Sequence, residues 1–126
     1  MPTTDLTRHA KQSTLRLTPT GRKSGEPRAV KVWFVLMDAQ RIAVQHVRGG
    51  DANWYRNLVK NPNVEVDLGG GLLRARATVV LDRAEISRIL KRIRGKYLAA
   101  WLLHAFGTRN AVAATIELLD QPSRAA

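Results

Sequence analysis

The sequence predicts a mainly β fold of the α+β type: six antiparallel strands curled into a small split or partly open barrel, with two covering helices. Three observations predict it. Apolar residues alternate with period two in stretches such as Thr14-Leu15-Arg16-Leu17-Thr18 and Asn63-Val64-Glu65-Val66-Asp67-Leu68, which turns one face of each strand toward a core. Short turns containing Gly, Pro or Asp separate the stretches, as antiparallel neighbours require. The resulting order, β-β-β-α-β-β-α-β, leaves half-buried strands that must cover one face, and six of them can close on themselves.

The elements follow in order. Residues 1–13 are polar and without periodicity, an irregular arm. The first strand, residues 14–18, stops at Pro19, and residues 20–28 (TGRKSGEPR) form a turn cluster. Residues 29–37 (AVKVWFVLM) are β-branched and aromatic throughout and predict one long strand. A turn at residues 38–40 joins it to residues 41–47, so the first three strands make a meander. Arg48-Gly49-Gly50 ends the third strand, and Asp51 is a suitable N-cap for a helix over residues 52–60. Strands four (63–68) and five (72–81) flank a turn of three glycines. Asp82 and Glu85 form a capping-box pattern ahead of Ile86, Ile89, Leu90, Ile93 and Tyr97, which recur at helical spacing. Gly95 kinks or ends that helix, residues 98–106 make a more uniformly apolar helical piece, and residues 111–119 are the last strand. The domain thus spans residues 14–120, with residues 121–126 as a tail.

The chain of 126 residues carries 21 Lys and Arg against 10 Asp and Glu, a formal charge of +11. Such a field attracts anions: phosphates, carboxylates, acidic lipid surfaces or nucleic acid. The absence of cysteine excludes disulfides, thiolate metal sites and a cysteine nucleophile. His9, His46 and His104 lack helical metal-ligand spacing. No apolar stretch approaches the roughly 20 residues of a membrane span, so a cytoplasmic protein is expected, with peripheral membrane contact left open.

Two segments carry candidate chemistry. In the 20–28 turn, glycines let backbone amides point into a concavity, Thr20 and Ser24 offer hydroxyls, and Arg22, Lys23 and Arg28 offer charge. These are the parts of a phosphate site, and equally of a solvated turn. In Val47-Arg48-Gly49-Gly50-Asp51, leading into Asn53-Trp54-Tyr55-Arg56-Asn57, a glycine pair precedes a helix N-terminus, where a planar or anionic ligand can approach backbone and helix dipole. The other reading is a capped helix with Trp54 as a core plug. The basic face of residues 83–96 has no interleaved aromatics, so nucleic acid is the less favoured use of it.

Together, TGRKSG-x-PR, the strand containing Val32-Trp33-Phe34, and RGG followed by WYRNL and NPNV resemble the deazaflavin-dependent nitroreductase and quinone-reductase family. That family has the split β-barrel fold of the pyridoxamine phosphate oxidases. The likeness runs from about residue 15 to 70. It implies that Arg22, Lys23, Ser24 and Arg28 hold the phosphate and acidic tail of coenzyme F420. It further implies that Val47, Arg48, Gly49, Gly50, Trp54 and Asn57 line the deazaflavin or its ribityl chain. The implied activity is hydride transfer from the reduced coenzyme to a quinone, nitro compound or activated enone. The coenzyme carries the hydride chemistry and the protein positions it and supplies a proton, for which Tyr55 and Tyr97 are candidates. Three other readings stay open: an FMN-binding split barrel, a non-catalytic binder of a hydrophobic anion, and a nucleic-acid-binding domain. Barrels of this type also leave a homodimer open.

Overall fold

A computed structural model of the protein describes residues 6–46, 52–69, 71–97 and 111–119. Among them are strands β1 (Leu15–Pro19), β2 (Val30–Val32), β3 (Val35–Asp38), β4 (Arg41–His46), β5 (Asn63–Asp67), β6 (Leu72–Val80) and β7 (Val112–Leu118). Helix α1 (Asn53–Lys60) lies between β4 and β5, and α2 (Arg83–Lys96) between β6 and β7. The strands form one antiparallel sheet in the order β2-β1-β5-β6-β7-β4-β3.

The sheet has seven strands where the sequence predicts six, because residues 29–37 form two strands. β2 pairs with β1, Leu15 opposite Val32, whereas β3 pairs with β4, Val35 opposite Ala43. The predicted meander is therefore bent open at its middle strand, and its halves are the two edges of the sheet. Flat, seven strands would hold those edges about 29 Å apart. Three Cα steps from Val32 to Val35 reach at most about 11 Å, so the sheet has to curl into a split barrel.

Alternation then assigns side chains to two cores. Inside the curl lie Leu15 and Leu17 of β1, Ile42 and Val44 of β4, Val64 and Val66 of β5, Ala75 and Ala77 of β6, and Ala114, Ile116 and Leu118 of β7. Helix α1 adds Leu58, with Trp54 half-buried against the same cluster. On the outer face, Ile86, Ile89, Leu90 and Ile93 of α2 pack on Val35, Ala43, Ala111 and Ala113. Three of those four partners are alanines, which lets the helix lie close to the sheet. Asp82 caps α2 by accepting from Glu85 N at 3.2 Å, and Glu85 pairs with Arg88 instead of returning to close the box. Gly95 lies within the helix, which ends at Lys96. The apolar stretch 98–106 lies outside the described residues.

The irregular arm is tied down in part. Its Leu6–His9 segment is a 3-10 turn, Leu6 is fully buried, and Leu6 N donates to Ala39 O. Among the described residues no helix is long and apolar enough to cross a membrane.

Where the chain passes from β2 to β3, the end of α2 meets it. Tyr97 Oη accepts from Phe34 N at 3.1 Å and lies 2.9 Å from Phe34 O and 2.7 Å from Ser13 O, with one proton for the two carbonyls. Its ring stacks on Trp33, centroids 4.5 Å apart and planes 3° from parallel. Lys96 Nζ donates to Phe34 O at 2.8 Å and lies 3.7 Å above the centre of the Phe34 ring.

Two outcomes follow from this joint. Tyr97→Phe leaves Phe34 N–H without its acceptor, so urea unfolding should show a loss of about 1–3 kcal/mol at an unchanged m value. Burial lowers the Lys96 pKa from 10.5 to about 8. The unfolded chain then binds that proton more tightly between those values, so this group's contribution makes stability rise with pH across the window. The wild-type stability curve minus that of Lys96→Met should climb between pH 8 and 10.5, and a flat difference would assign the proton elsewhere.

Candidate functional site

The turn that follows β1 is a small hairpin. Thr20 bridges to Pro27, and Arg28 N donates to Pro19 O at 2.9 Å. Within it Gly21 N donates to Glu26 O at 2.7 Å and Gly25 N to Gly21 O at 2.8 Å. Gly25 has φ +74°, which side-chain-bearing residues rarely adopt. A Cβ on Gly21 would lie 2.7 Å from Ser24 Oγ and 3.1 Å from Glu26 O, so the loop closes this tightly only around a glycine. Ser24 Oγ accepts from Glu26 N at 3.2 Å, which leaves its hydroxyl proton to donate.

Helix α1 supplies the opposite wall. Trp54 and Leu58 turn toward the barrel core, and Asn53 and Asn57, also four apart, turn toward the hairpin. Asn57 Oδ1 accepts from Arg22 N at 3.0 Å and from Arg22 Nη1 at 2.9 Å. Arg22 Nη2 makes a longer contact of 3.5 Å to Asn53 Oδ1. Together these bonds fasten the hairpin to the helix across 35 residues of sequence. The N-cap position is Ala52, whose side chain cannot cap; Asp51, expected there, lies outside the described residues.

Between the two walls is a cavity of about 300 Å³ lined by Gly21, Arg22, Lys23, Ser24, Arg28, Asn53 and Asn57. Its described lining has three cations and no carboxylate. The Lys23 and Arg28 side chains are exposed and make no hydrogen bond or ion pair among the described residues. The arrangement therefore suits an oxyanion: fixed charge, a hydroxyl donor and a glycine-opened backbone in one concavity.

The structure brings five of the candidate residues together here: Arg22, Lys23, Ser24, Arg28 and Asn57. Val47, Arg48, Gly49 and Gly50 lie outside the described residues. Trp54 and Tyr55 do not line the cavity; Trp54 meets His46 and Tyr55 edge-on, at centroid distances of 6.3 and 6.0 Å. Tyr97, a candidate proton donor, has its hydroxyl committed to the Phe34 and Ser13 backbone, and burial raises its pKa. Asn53 was missed by sequence reasoning. The repeat of Asn at 53 and 57, one helical turn apart, is the signal that could have found it.

A family model described as F420H(2)-dependent quinone reductase matches residues 4–115. Similar solved structures include an F420-H2 dependent reductase, 24% identical with TM-score 0.69, covering 84% of this chain and 95% of that chain. A putative pyridoxamine 5'-phosphate oxidase from Listeria innocua is 16% identical with TM-score 0.66, covering 91% and 88%. A structure described as a domain-swapped dimer is 26% identical with TM-score 0.68, covering 84% and 81%.

The glycines give a graded test of the hairpin. Gly21→Ala forces the loop open and should cost about 1–3 kcal/mol in urea unfolding. Gly25→Ala, strained by its positive φ, should cost about 1–2 kcal/mol. Gly95→Ala meets nothing within 4 Å in its helix and should stabilise by up to ~1 kcal/mol.

Proposed function

Because the chain belongs to the F420H(2)-dependent quinone reductase family, we propose that the cavity between the 20–28 hairpin and α1 holds the phosphate and acidic end of coenzyme F420. The chain is an oxidoreductase of F420-dependent type, and we take its acceptor to be a quinone, nitro compound or activated enone. The observation that carries the coenzyme reading is the cavity lining: three cations, no carboxylate, and two of the cations without a described partner.

The residues present fit such a group. With no Cβ at Gly21 the hairpin closes on itself and sets its three cations along one concavity, and Asn57 offers a buried amide at the cavity wall. When bound, the reduced coenzyme supplies the hydride. The chain's own part is to hold it. Arg22, Lys23 and Arg28 neutralise the anionic end, Ser24 donates its hydroxyl, and the hairpin's attachment to α1 fixes where that end sits. Binding at an end remote from the reacting ring is what orients the ring.

Fluorescence titration with F420 should show saturable binding that weakens with salt, uncontested by FMN. Lys23→Ala and Arg28→Ala should each lower affinity by roughly ten- to hundredfold, since charge-assisted bonds contribute about 1.5–3 kcal/mol. Unchanged affinity in both variants would reduce the hairpin to a solvated turn.

A further inference from the structure

Asn57 is 4% exposed, the one polar residue in the buried set among the described residues. Its oxygen is doubly used: Arg22 N and Arg22 Nη1 both donate to Oδ1. Two donors on one atom settle which way the carboxamide faces, because the opposite orientation would set its NH2 group against two N–H groups. The Nδ2 end is thereby left over. It has no hydrogen-bond partner among the described residues, and Asn57 lines the cavity. A buried N–H pair without a partner is a cost that a ligand acceptor removes.

We propose that Asn57 is a positioning and selecting residue of the anion cavity. Through Oδ1 it holds the Arg22 guanidinium against α1, and through Nδ2 it donates to an oxyanion of the bound ligand, a phosphate ester oxygen. Asn53, one turn earlier, is the second rung that limits rotation of the same guanidinium. A carboxamide does both tasks where a carboxylate does only one. An aspartate side chain would hold Arg22 at least as well, by a charge-assisted pair. It would also cancel the charge of Arg22 toward the ligand and present oxygen lone pairs where the ligand presents its own. The residue thus makes the cavity select for ligands with unprotonated oxygen at this point. The inference rests on the reading of the cavity as an anion site, and goes beyond it in assigning the neutral groups.

The test compares the wild type with Asn57→Asp and Asn53→Ala in three measurements: melting temperature, F420 affinity by fluorescence, and inorganic pyrophosphate affinity by calorimetry. Asn57→Asp should melt at or above the wild-type temperature and bind either anion about ten- to hundredfold more weakly. Asn53→Ala should weaken binding a few-fold at an unchanged melting temperature. Wild-type affinity in Asn57→Asp overturns the proposal, as does affinity lost in step with melting temperature, which marks a purely structural bond. A wild type that binds pyrophosphate but not F420 removes the coenzyme reading alone, and the pyrophosphate arm then decides this one. A wild type that binds neither removes both.

Discussion

The two residues between β2 and β3, Trp33 and Phe34, decide the shape of the whole sheet. They join strands at its opposite edges, and so short a link holds those edges together by covalent geometry. The backbone at this joint leaves the ladder on both sides, and its polar groups need partners from elsewhere. The end of α2 provides them through Tyr97 Oη and Lys96 Nζ. Closure of the barrel and docking of α2 are thus one event, since the helix that covers the outer core also satisfies the joint.

The same geometry accounts for much of the basic helix. Arg92 and Lys96 are four apart on α2, and they donate to Leu36 O of the edge strand and to Phe34 O two residues earlier in the joint that leads into it. Four residues of helix rise about 6 Å and two residues of strand about 6.8 Å, so the spacings match. Arg92 thereby covers a carbonyl of an edge strand, a group that could otherwise pair with another chain, and Lys96 covers one at the joint. Arg83 reaches Ala111 O at 2.7 Å and Arg88 pairs with Glu85. On the outer face of the sheet, Arg16 lies opposite Asp67, Arg74 opposite Glu65 and Arg76 opposite Glu117, an arrangement of opposite charges across strands. Of the surplus cations, three, Arg83, Arg92 and Lys96, are therefore occupied in holding the fold through backbone carbonyls.

What the sequence made legible was local. The alternation in β1 and β5, the capping residue of α2 and its apolar stripe each follow from neighbours within one or two turns. The break in residues 29–37 was not legible because nothing local marks it: the stretch lacks Gly and Pro, and all nine residues accept extended backbone. Even the period-two alternation runs through it unbroken, with Val30, Val32, Phe34 and Leu36 on the inner core and Trp33, Val35 and Met37 on the outer one. The hairpin's charge and glycines were visible, whereas its fastening to Asn57 spans 35 residues and is a tertiary fact. Tyr97 shows the reverse: a polar aromatic at the end of an amphipathic helix has the same sequence pattern whether its hydroxyl meets a ligand or a backbone.

Lys23 and Arg28 of the 20–28 hairpin differ in kind from Arg83, Arg92 and Lys96 of α2. An arginine bonded to a carbonyl is satisfied before any ligand arrives. Lys23 and Arg28, beside Arg22 and without described partners, repel one another in the free protein. An anion that enters the cavity removes that repulsion as it makes its own bonds, and so stabilises the folded state by its binding free energy. The fastening of Arg22 to α1 matters here, because it keeps one charge from swinging out to solvent and relieving the strain alone. On the proposed reading of the cavity as an anion site, rigidity built with neutral amides, next to charge left uncompensated, would keep the hairpin in a binding-ready form. The ligand then need not order it, and that ordering cost is the one a loose basic turn would impose.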